Sequence, residues 1–140
     1  MVFSPLVLKD EQYYIDFNRF RQDIQGCKLL ILSNPHNPGG RVWTKEELSQ
    51  IADICYESGT LVISDEIHAD LTLPPYKHPT FALISEKARM NSLVFMSPSK
   101  AFNMRDWLVL MQLLRKTNFV TVSRHIWKQA SLAKDISLLI

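Results

Sequence analysis

Three short apolar runs, each followed directly by polar residues, constrain the fold of this chain more than any other feature of its sequence. The runs are LLILS at 29–33, TLVIS at 60–64 and SLVFMS at 92–97. Their apolar residues are continuous rather than alternating, a pattern typical of strands buried on both faces. A helix is predicted between the first two runs, because Thr44 and Glu47 are in capping-box register and Gly59 stands where a C-terminal cap belongs.

The order of these elements predicts an α/β protein with a parallel sheet. Apolar residues recur at helical spacing from Leu48 to Cys55, and a second short helix, FALISEKA, precedes the third strand. Near the start of the chain, an extended stretch at 13–15 precedes a helical turn that Asn18 is placed to cap. Ligands of such sheets bind at the carboxyl ends of the strands, which here read SNPHNPGG, SDEIH and SPSK.

Lys100 follows the third strand closely and is accompanied by Ser97 and Ser99. One interpretation is a surface lysine at the mouth of the sheet. The other is a lysine whose deprotonated amine attacks an aldehyde to form a Schiff base. The hydroxyls of Ser97 and Ser99 would then be suited to hold a phosphate group. These residues alone leave both interpretations open.

The ends of the first two strands offer further polar candidates. Asp65 and Glu66 are either solvated carboxylates or functional groups, in which case Asp65 faces a protonated ring nitrogen and keeps the ring charged. Strand alternation would place Ser64 and Glu66 on the face opposite Asp65. Asn37 lies in a Pro-Gly turn, which is either a turn without further function or a site where the amide bonds a phenolate oxygen.

Composition and motifs exclude several other classes of function. The chain is 46% hydrophobic and 21% charged with a net charge of +2, values of a globular protein that do not favour nucleic-acid binding. No apolar run approaches the ~20 residues of a membrane span, and no secretory signal is visible. The four histidines and two cysteines lack metal-site spacing, so no metal is expected. The cysteines are interpreted as reduced thiols of a cytoplasmic protein.

Taken in order, SNPHNPGGRVW, VISDEIHADL and SPSKAFN resemble the large domain of the fold-type I pyridoxal-phosphate (PLP) enzymes, the class I/II aminotransferase superfamily. The NPHNPxGxVW and DEIH strings resemble its cystathionine β-lyase branch in particular. The resemblance covers about residues 5–104 and implies an incomplete part of a three-layer α/β domain with a mostly parallel sheet. It also implies PLP as cofactor and a small amino-acid substrate. Gly39 replaces the threonine of the common NPTG turn, a change that the turn geometry should accept.

The resemblance implies a role for each polar residue at the strand ends. Lys100 would form the Schiff base with PLP and move the substrate Cα proton. Asp65 would pair with the pyridine nitrogen, and Asn37 would bond the cofactor O3′. His68 stands where many aminotransferases carry a tyrosine that also bonds O3′. The phosphate would be held by Ser97 and Ser99.

The activity implied by the resemblance is that of a C–S β-lyase, which cleaves cysteine-type thioethers to a thiol, pyruvate and ammonia. An aminotransferase shares the chemistry up to the Cα carbanion, so the strand-end motifs do not separate the two. Family enzymes are several hundred residues long and build their active sites across a homodimer. The cofactor-stacking aromatic ring and the carboxylate-binding arginine have no counterpart here, so the chain is expected to be inactive alone. The remaining alternative is a non-catalytic fragment or interaction module.

Residues 105–140 differ in character from residues 1–104 and are interpreted as a separate segment. The net charge changes from −2 to +4, and every glycine and proline lies at or before Pro98. Codons for Pro-Gly-Leu-Ala or Ala-Gly-Leu-Ala, read one base late, can spell the Arg-Asp-Trp-Leu found at 105–108. One hypothesis is therefore an out-of-frame translation. The alternative is a basic amphipathic helix at 107–116 that binds a membrane surface or a partner.

Overall fold

The computed structural model describes residues 2–97 and the backbone of two short strands beyond them. In chain order the strands are β1 (Val2–Phe3), β2 (Val7–Lys9), β3 (Gln12–Tyr14), β4 (Leu29–Ser33), β5 (Leu61–Asp65), β6 (Ser92–Met96), β7 (Met111–Gln112) and β8 (Leu138–Leu139). The helices are α1 (Phe17–Asp23), α2 (Lys45–Ser58) and α3 (Glu86–Met90), with 3₁₀ turns at Ala69–Leu71 and Phe81–Leu83.

A six-stranded sheet in the order β1-β8-β4-β5-β6-β7 organises the chain, and β2 and β3 form a separate antiparallel hairpin. The pairs β1–β8, β8–β4, β4–β5 and β5–β6 are parallel, while β7 is antiparallel to β6. The predicted α/β fold with a mostly parallel sheet is therefore confirmed. The backbone at 111–112 is a strand, so the alternative of one continuous helix over 107–116 is wrong there.

Helix α2 begins and ends at the predicted signals. Thr44 Oγ1 accepts a hydrogen bond from the Glu47 backbone N–H at 3.2 Å, and a Glu47 carboxylate oxygen accepts one from Thr44 N–H at 2.8 Å. Gly59 ends the helix in the left-handed region, at φ 69°. Leu48, Ile51 and Cys55 are fully buried, so the predicted apolar face is the face that packs on the sheet.

The main core lies on one face of the sheet. Leu30 and Leu32 of β4 are fully buried, whereas the alternating residues Leu29 and Ile31 are only half-buried. A smaller cluster of Ile63, Leu93 and Phe95 lies apart from this core. In the part of the chain that the structure describes, β4 is thus closed on one face and only partly covered on the other, which differs from the predicted burial on both faces.

Helix α1 is capped two residues earlier than the sequence predicts. Asp16, not Asn18, is the N-cap, and its Oδ1 accepts hydrogen bonds from the backbone N–H groups of Asn18 and Arg19 at 3.0 and 3.1 Å. Both residue types cap helices well, so residue preference alone did not separate the two positions.

Cys27 and Cys55 are free and buried, in agreement with the prediction of reduced thiols. Burial raises the pKa of the Cys55 thiol to about 12, and the neighbouring Cys27 adds to the shift. The Cys55 thiol is therefore an unreactive packing group at neutral pH. Of the helices that the structure describes, none is long and apolar enough to cross a membrane.

The capping box at the start of α2 generates a stability prediction. Thr44→Ala should lower the free energy of unfolding by about 1 kcal/mol, because it removes the acceptor for the Glu47 N–H. Thr44→Ser keeps the hydroxyl and should stay within a few tenths of a kcal/mol of the original chain. Urea unfolding followed by circular dichroism measures both variants, and equal stabilities for the two would contradict the capping role.

Candidate active site

The parallel register brings the polar strings of three strands to one edge of the sheet. Ser33 of β4 is paired with Asp65 of β5, and Asp65 is paired with Phe95 of β6. Just beyond these pairs, Asn34 N–H donates to the Asp65 carbonyl at 3.0 Å, and Glu66 N–H donates to the Phe95 carbonyl at 2.7 Å. The segments SNPHNPGG and SDEIH therefore leave the sheet beside each other, and Ser97 follows the neighbouring strand β6.

Asn37 lies in a turn that is held by hydrogen bonds close to β4. Its backbone N–H donates to Ser33 Oγ at 3.1 Å, and Ser33 Oγ donates to the Pro35 carbonyl at 3.0 Å. The turn closes where His36 N–H donates to the Arg41 carbonyl at 2.8 Å. Asn37 itself is exposed, so an anchored backbone presents its amide at the surface of the strand-end edge.

Asp65 is half-buried at the end of β5. One carboxylate oxygen accepts a hydrogen bond from Ile67 N–H at 3.2 Å, and within residues 2–97 the side chain forms no ion pair. Burial raises the pKa of Asp65 above its ordinary value, and Glu66 adds to the increase, whereas the Ile67 hydrogen bond and the charge of His68 oppose it. A cationic group placed beside Asp65 would relieve this burial cost.

Ser64 and Glu66 lie on the face opposite Asp65, as strand alternation predicts. Both are buried, and Ser64 Oγ donates to a Glu66 carboxylate oxygen at 2.9 Å. The same oxygen accepts from Phe81 N–H at 2.9 Å, and the other oxygen lies 2.7 Å from His78 Nε2. Adjacent carboxylates thus have different environments, since Glu66 is fully bonded inside the protein and Asp65 faces the strand-end edge.

Asn37 and His68 line the same cavity, which has a volume of about 410 Å³. Its walls come from the turn after β4 and from the segment after β5. The other lining residues are mainly apolar and include Pro35, Val42, Leu71, Thr72, Leu73 and Tyr76. Asp65 stands three positions before His68 but is not part of this lining. The structure therefore brings two predicted cofactor contacts together, with the third at the neighbouring strand end.

The remaining predicted site residues belong to the third strand end. Ser97 follows β6 directly and is buried. Ser99 and Lys100 lie outside the residues that the structure describes. Their roles, as a phosphate contact and as the Schiff-base lysine, stay predictions.

His36 is a cavity residue that sequence reasoning did not select. It lines the same cavity as Asn37, and its ring contacts those of Tyr13 and Trp43, with centroids 6.0 and 5.8 Å away. Burial lowers the pKa of His36, which favours the neutral imidazole. The only signal in the sequence is its position next to Asn37, and this does not distinguish a wall residue from an ordinary turn residue.

Gly39 makes the position of His36 possible. A Cβ atom at Gly39 would lie 2.4 Å from His36 Cδ2 and 2.9 Å from Tyr13 Cδ2. Since both distances are shorter than a carbon–carbon contact allows, any larger residue here would displace the imidazole or the phenol ring. Glycine in place of the expected threonine is therefore coupled to the packing of His36.

Within the described residues, no group of three His, Cys, Asp or Glu side chains is placed to hold a metal ion. The site instead combines the Asn37 amide and the His68 imidazole, which line a mainly apolar cavity, with the half-buried carboxylate of Asp65 at the neighbouring strand end. Such a set is suited to an aromatic heterocycle with hydrogen-bonding substituents.

Comparison with known proteins decides the family. The profile of the family "Aminotransferase class I and II" matches residues 4–112. The chain belongs to this family. Its members are PLP-dependent enzymes, which confirms the implied fold and the implied class of cofactor. The match continues past residue 104, the boundary chosen from charge and composition.

Individual relatives include both lyases and aminotransferases. The chain is 42% identical over 105 residues to the cystathionine β-lyase PatB of Bacillus subtilis (strain 168), covering 74% of this chain and 27% of PatB. It is 33% identical over 103 residues to the aspartate aminotransferase of the same organism, covering 73% of this chain and 26% of that enzyme. The chain thus spans about a quarter of the length of these relatives.

A solved structure gives the same picture. The crystal structure of cystalysin from Treponema denticola, which contains a pyridoxal 5′-phosphate cofactor, matches with a TM-score of 0.72 at 33% identity. The match covers 94% of this chain and 33% of cystalysin. Its fold likeness therefore agrees with the family assignment.

The described residues of this chain fit PLP. Asn37 and His68 offer hydrogen-bonding side chains to one cavity, where they are suited to a phenolate oxygen. Asp65 is a half-buried carboxylate that forms no ion pair within residues 2–97, which suits a protonated pyridine nitrogen. This donor set would hold the ring from two sides.

The raised pKa of Asp65 predicts that its ionised carboxylate lowers the free energy of unfolding of the ligand-free chain. Because the pKa of the folded state exceeds that of the unfolded state, the carboxyl contributes most stability when protonated and loses that contribution as the pH rises through the folded-state pKa. Asp65→Asn should therefore raise the melting temperature at pH 7, and the gain should shrink as the pH falls toward the ordinary value of 3.8.

Asp70→Asn is the matched control, since Asp70 is an exposed carboxylate on the same segment. It should leave the melting temperature nearly unchanged across the same pH range. A melting temperature at pH 7 that falls in Asp65→Asn would show that the carboxylate is stabilised, not strained, by its surroundings.

Proposed function

We propose that the complete protein is a PLP-dependent C–S β-lyase that cleaves cysteine-type thioethers to a thiol, pyruvate and ammonia. The observation that carries the proposal is the shared cavity of Asn37 and His68 beside Asp65, at the carboxyl edge of a parallel sheet. The 42% identity to PatB supports the lyase, and identities of 33% and 40% to aminotransferases support transamination as the second candidate.

The chemistry that PLP supplies when bound is an electron sink for the carbanion formed at the substrate Cα. Asp65 would keep the ring nitrogen protonated. The positive charge on that nitrogen would in turn stabilise the Asp65 carboxylate, whose pKa is raised by burial. Asn37 and His68 would bind the phenolate oxygen and fix the ring in the cavity. Ser97 and Ser99 would bind the phosphate, and Lys100 would take the proton from Cα as general base.

For a lyase substrate, the next event is departure of the Cβ thiolate. The cavity that Asn37 and His68 share is lined mainly by apolar groups such as Val42, Leu71 and Leu73. An apolar wall suits the thioether sulfur that a cysteine-type substrate carries on Cβ better than the carboxylate that aspartate carries there, because an unpaired charge next to the wall would be poorly solvated. This wall is a further reason to place a sulfur amino acid ahead of an acidic one.

Aminotransfer is the second candidate function. It is supported by the family profile and by the 33% identity to an aspartate aminotransferase. A non-catalytic fragment is the third, because the chain covers only 27% of PatB. For the complete enzyme we propose a homodimer, which fits the exposed Leu71, Leu73 and Tyr76 at the rim of the cavity.

We also propose that residues 105–140 are a segment distinct from residues 1–104, produced by out-of-frame translation. The change in charge and the loss of glycine and proline after Pro98 support this proposal. Sequencing the gene across the Met104 codon tests it. An alternative frame that encodes Gly-Leu-Ala is expected, and its absence would contradict the proposal.

Cofactor binding by this chain is tested by trapping. Purified chain is mixed with pyridoxal 5′-phosphate, reduced with borohydride and digested, and the modified lysine is mapped by mass spectrometry. We expect a visible absorbance band before reduction and a label mainly on Lys100, because the proposal assigns the Schiff base to its amine. Lys100→Ala should lose both, while a solvent-exposed lysine such as Lys45 should carry only a trace of label in either protein.

Equal labelling of Lys100 and Lys45 would contradict the proposed cofactor role. Activity is tested on the complete protein, by comparing thiol release from cystathionine with keto-acid formation from amino acids in the presence of an amino acceptor. The lyase proposal predicts thiol release as the faster reaction. Keto-acid formation without thiol release would favour the aminotransferase.

A further inference from the structure

A buried carboxylate stands directly beside the proposed cofactor residue Asp65 but takes no part in the site. The side chain of Glu66 has no solvent exposure, and it lies on the core face of β5. Its two oxygens are bonded by Ser64 Oγ and Phe81 N–H, both at 2.9 Å, and by His78 Nε2 at 2.7 Å. A buried carboxylate is costly unless it is bonded in this way.

Two of these partners, His78 and Phe81, lie where one segment, residues 67–80, returns to the protein. The segment leaves β5 after Glu66 and returns to the protein at His78 and Phe81, both of which contact the Glu66 carboxylate. Asn34, at the end of β4, adds a contact where the segment returns. Its side-chain N–H donates to the Pro79 carbonyl at 3.2 Å, and the same nitrogen lies 3.5 Å from a Glu66 carboxylate oxygen. Glu66 therefore ties the returning end of the segment to the end of β5, from which the segment starts.

The segment forms one wall of the cavity that Asn37 and His68 share. Five of the lining residues belong to it, namely His68, Leu71, Thr72, Leu73 and Tyr76. Its residues 70–77 are all exposed except Thr72, and its regular structure is limited to the 3₁₀ turn Ala69–Leu71. Because residues 70–77 bury little apolar surface, their own packing holds the wall weakly. The contacts of Glu66 are the strongest restraint on where this wall stands.

We propose that Glu66 and His78 are positioning residues that fix segment 67–80, and with it the His68 wall of the ligand cavity. The consequence for ligand binding rests on the proposed function, whereas the restraint on the segment does not. Neither residue touches the ligand. A pair of apolar residues would close this part of the core at a lower cost, but it would not determine where the returning chain docks.

The first test measures the segment without any ligand. Tyr76 in the segment and Tyr56 in α2 are both exposed, at 62% and 50%, and each is a chymotrypsin site. Glu66→Gln should raise the cleavage rate after Tyr76 by about ten-fold and leave cleavage after Tyr56 unchanged, since it weakens charged bonds at the returning end of the segment and no hydrogen-bond partner of the Glu66 side chain lies in α2. Mass spectrometry of the two cleavage products gives both rates.

Thr60→Val is the matched control. Thr60 is fully buried at the other end of β5, and its hydroxyl donates to the Cys27 carbonyl at 2.8 Å. This variant also loses a buried hydrogen bond, so its melting temperature should fall, but cleavage after Tyr76 should stay at the original rate. If cleavage after Tyr76 and Tyr56 rises together in both variants, Glu66 contributes only to global stability and the proposal is wrong.

The second test measures ligand affinity by pyridoxal 5′-phosphate titration. Glu66→Gln should weaken binding by about ten-fold, while Thr60→Val should bind like the original chain. Unchanged affinity in Glu66→Gln would overturn the link between the segment and the ligand. If the original chain binds no pyridoxal 5′-phosphate, the proposed function fails for this chain, and the cleavage ratio still decides whether Glu66 restrains the segment.

His78→Ala covers the case in which Glu66→Gln does not fold. It removes only the contact to one carboxylate oxygen and leaves the bonds from Ser64 and Phe81. The same preferential cleavage after Tyr76 is expected. Cleavage that remains at the original rate in a folded His78→Ala would overturn the proposal.

Discussion

The parallel register of β5 with its two neighbours determines where the described candidate site residues lie. Ser33, Asp65 and Phe95 stand side by side, so three polar strings that are far apart in sequence leave the sheet at one edge. A slip of one residue in β5 would exchange the faces of Asp65 and Glu66. It would put Glu66 at the strand-end edge and Asp65 in the core.

Two adjacent carboxylates therefore serve opposite purposes because of strand alternation. Glu66 is surrounded by donors and anchors the chain that returns from the cavity. Asp65 is half-buried with one backbone donor and a raised pKa, so a cation placed beside it would stabilise its ionised form. A binding site holds a ligand in one orientation when the residues next to its ligand-binding groups are fixed by their own hydrogen bonds, as Glu66 is beside Asp65.

Local patterns predicted much of this arrangement. The continuous apolar runs predicted the parallel strands, and the Thr44–Glu47 spacing predicted α2. Strand alternation predicted that Ser64 and Glu66 lie on the face opposite Asp65. What escaped prediction depends on contacts between distant residues. The pairing of His78 with Glu66 and the packing of His36 against Gly39 leave no periodic signal in the sequence. The cap at Asp16 escaped because Asn18 is an equally good capping residue. The roles of Ser99 and Lys100 remain predictions from the family resemblance.

The central claim is that the strand-end residues of this chain form a PLP cradle, and a titration followed by NMR tests it most directly. The chain is labelled with ¹⁵N and titrated with pyridoxine 5′-phosphate, which has no aldehyde and therefore binds without Lys100 chemistry. The predicted result is a saturable set of shifts that includes the Asn37 side-chain amide and the His68 imidazole, with α2 unaffected. Shifts confined to the separate cleft around Arg41 and Lys77, or no saturable shifts, would contradict the claim.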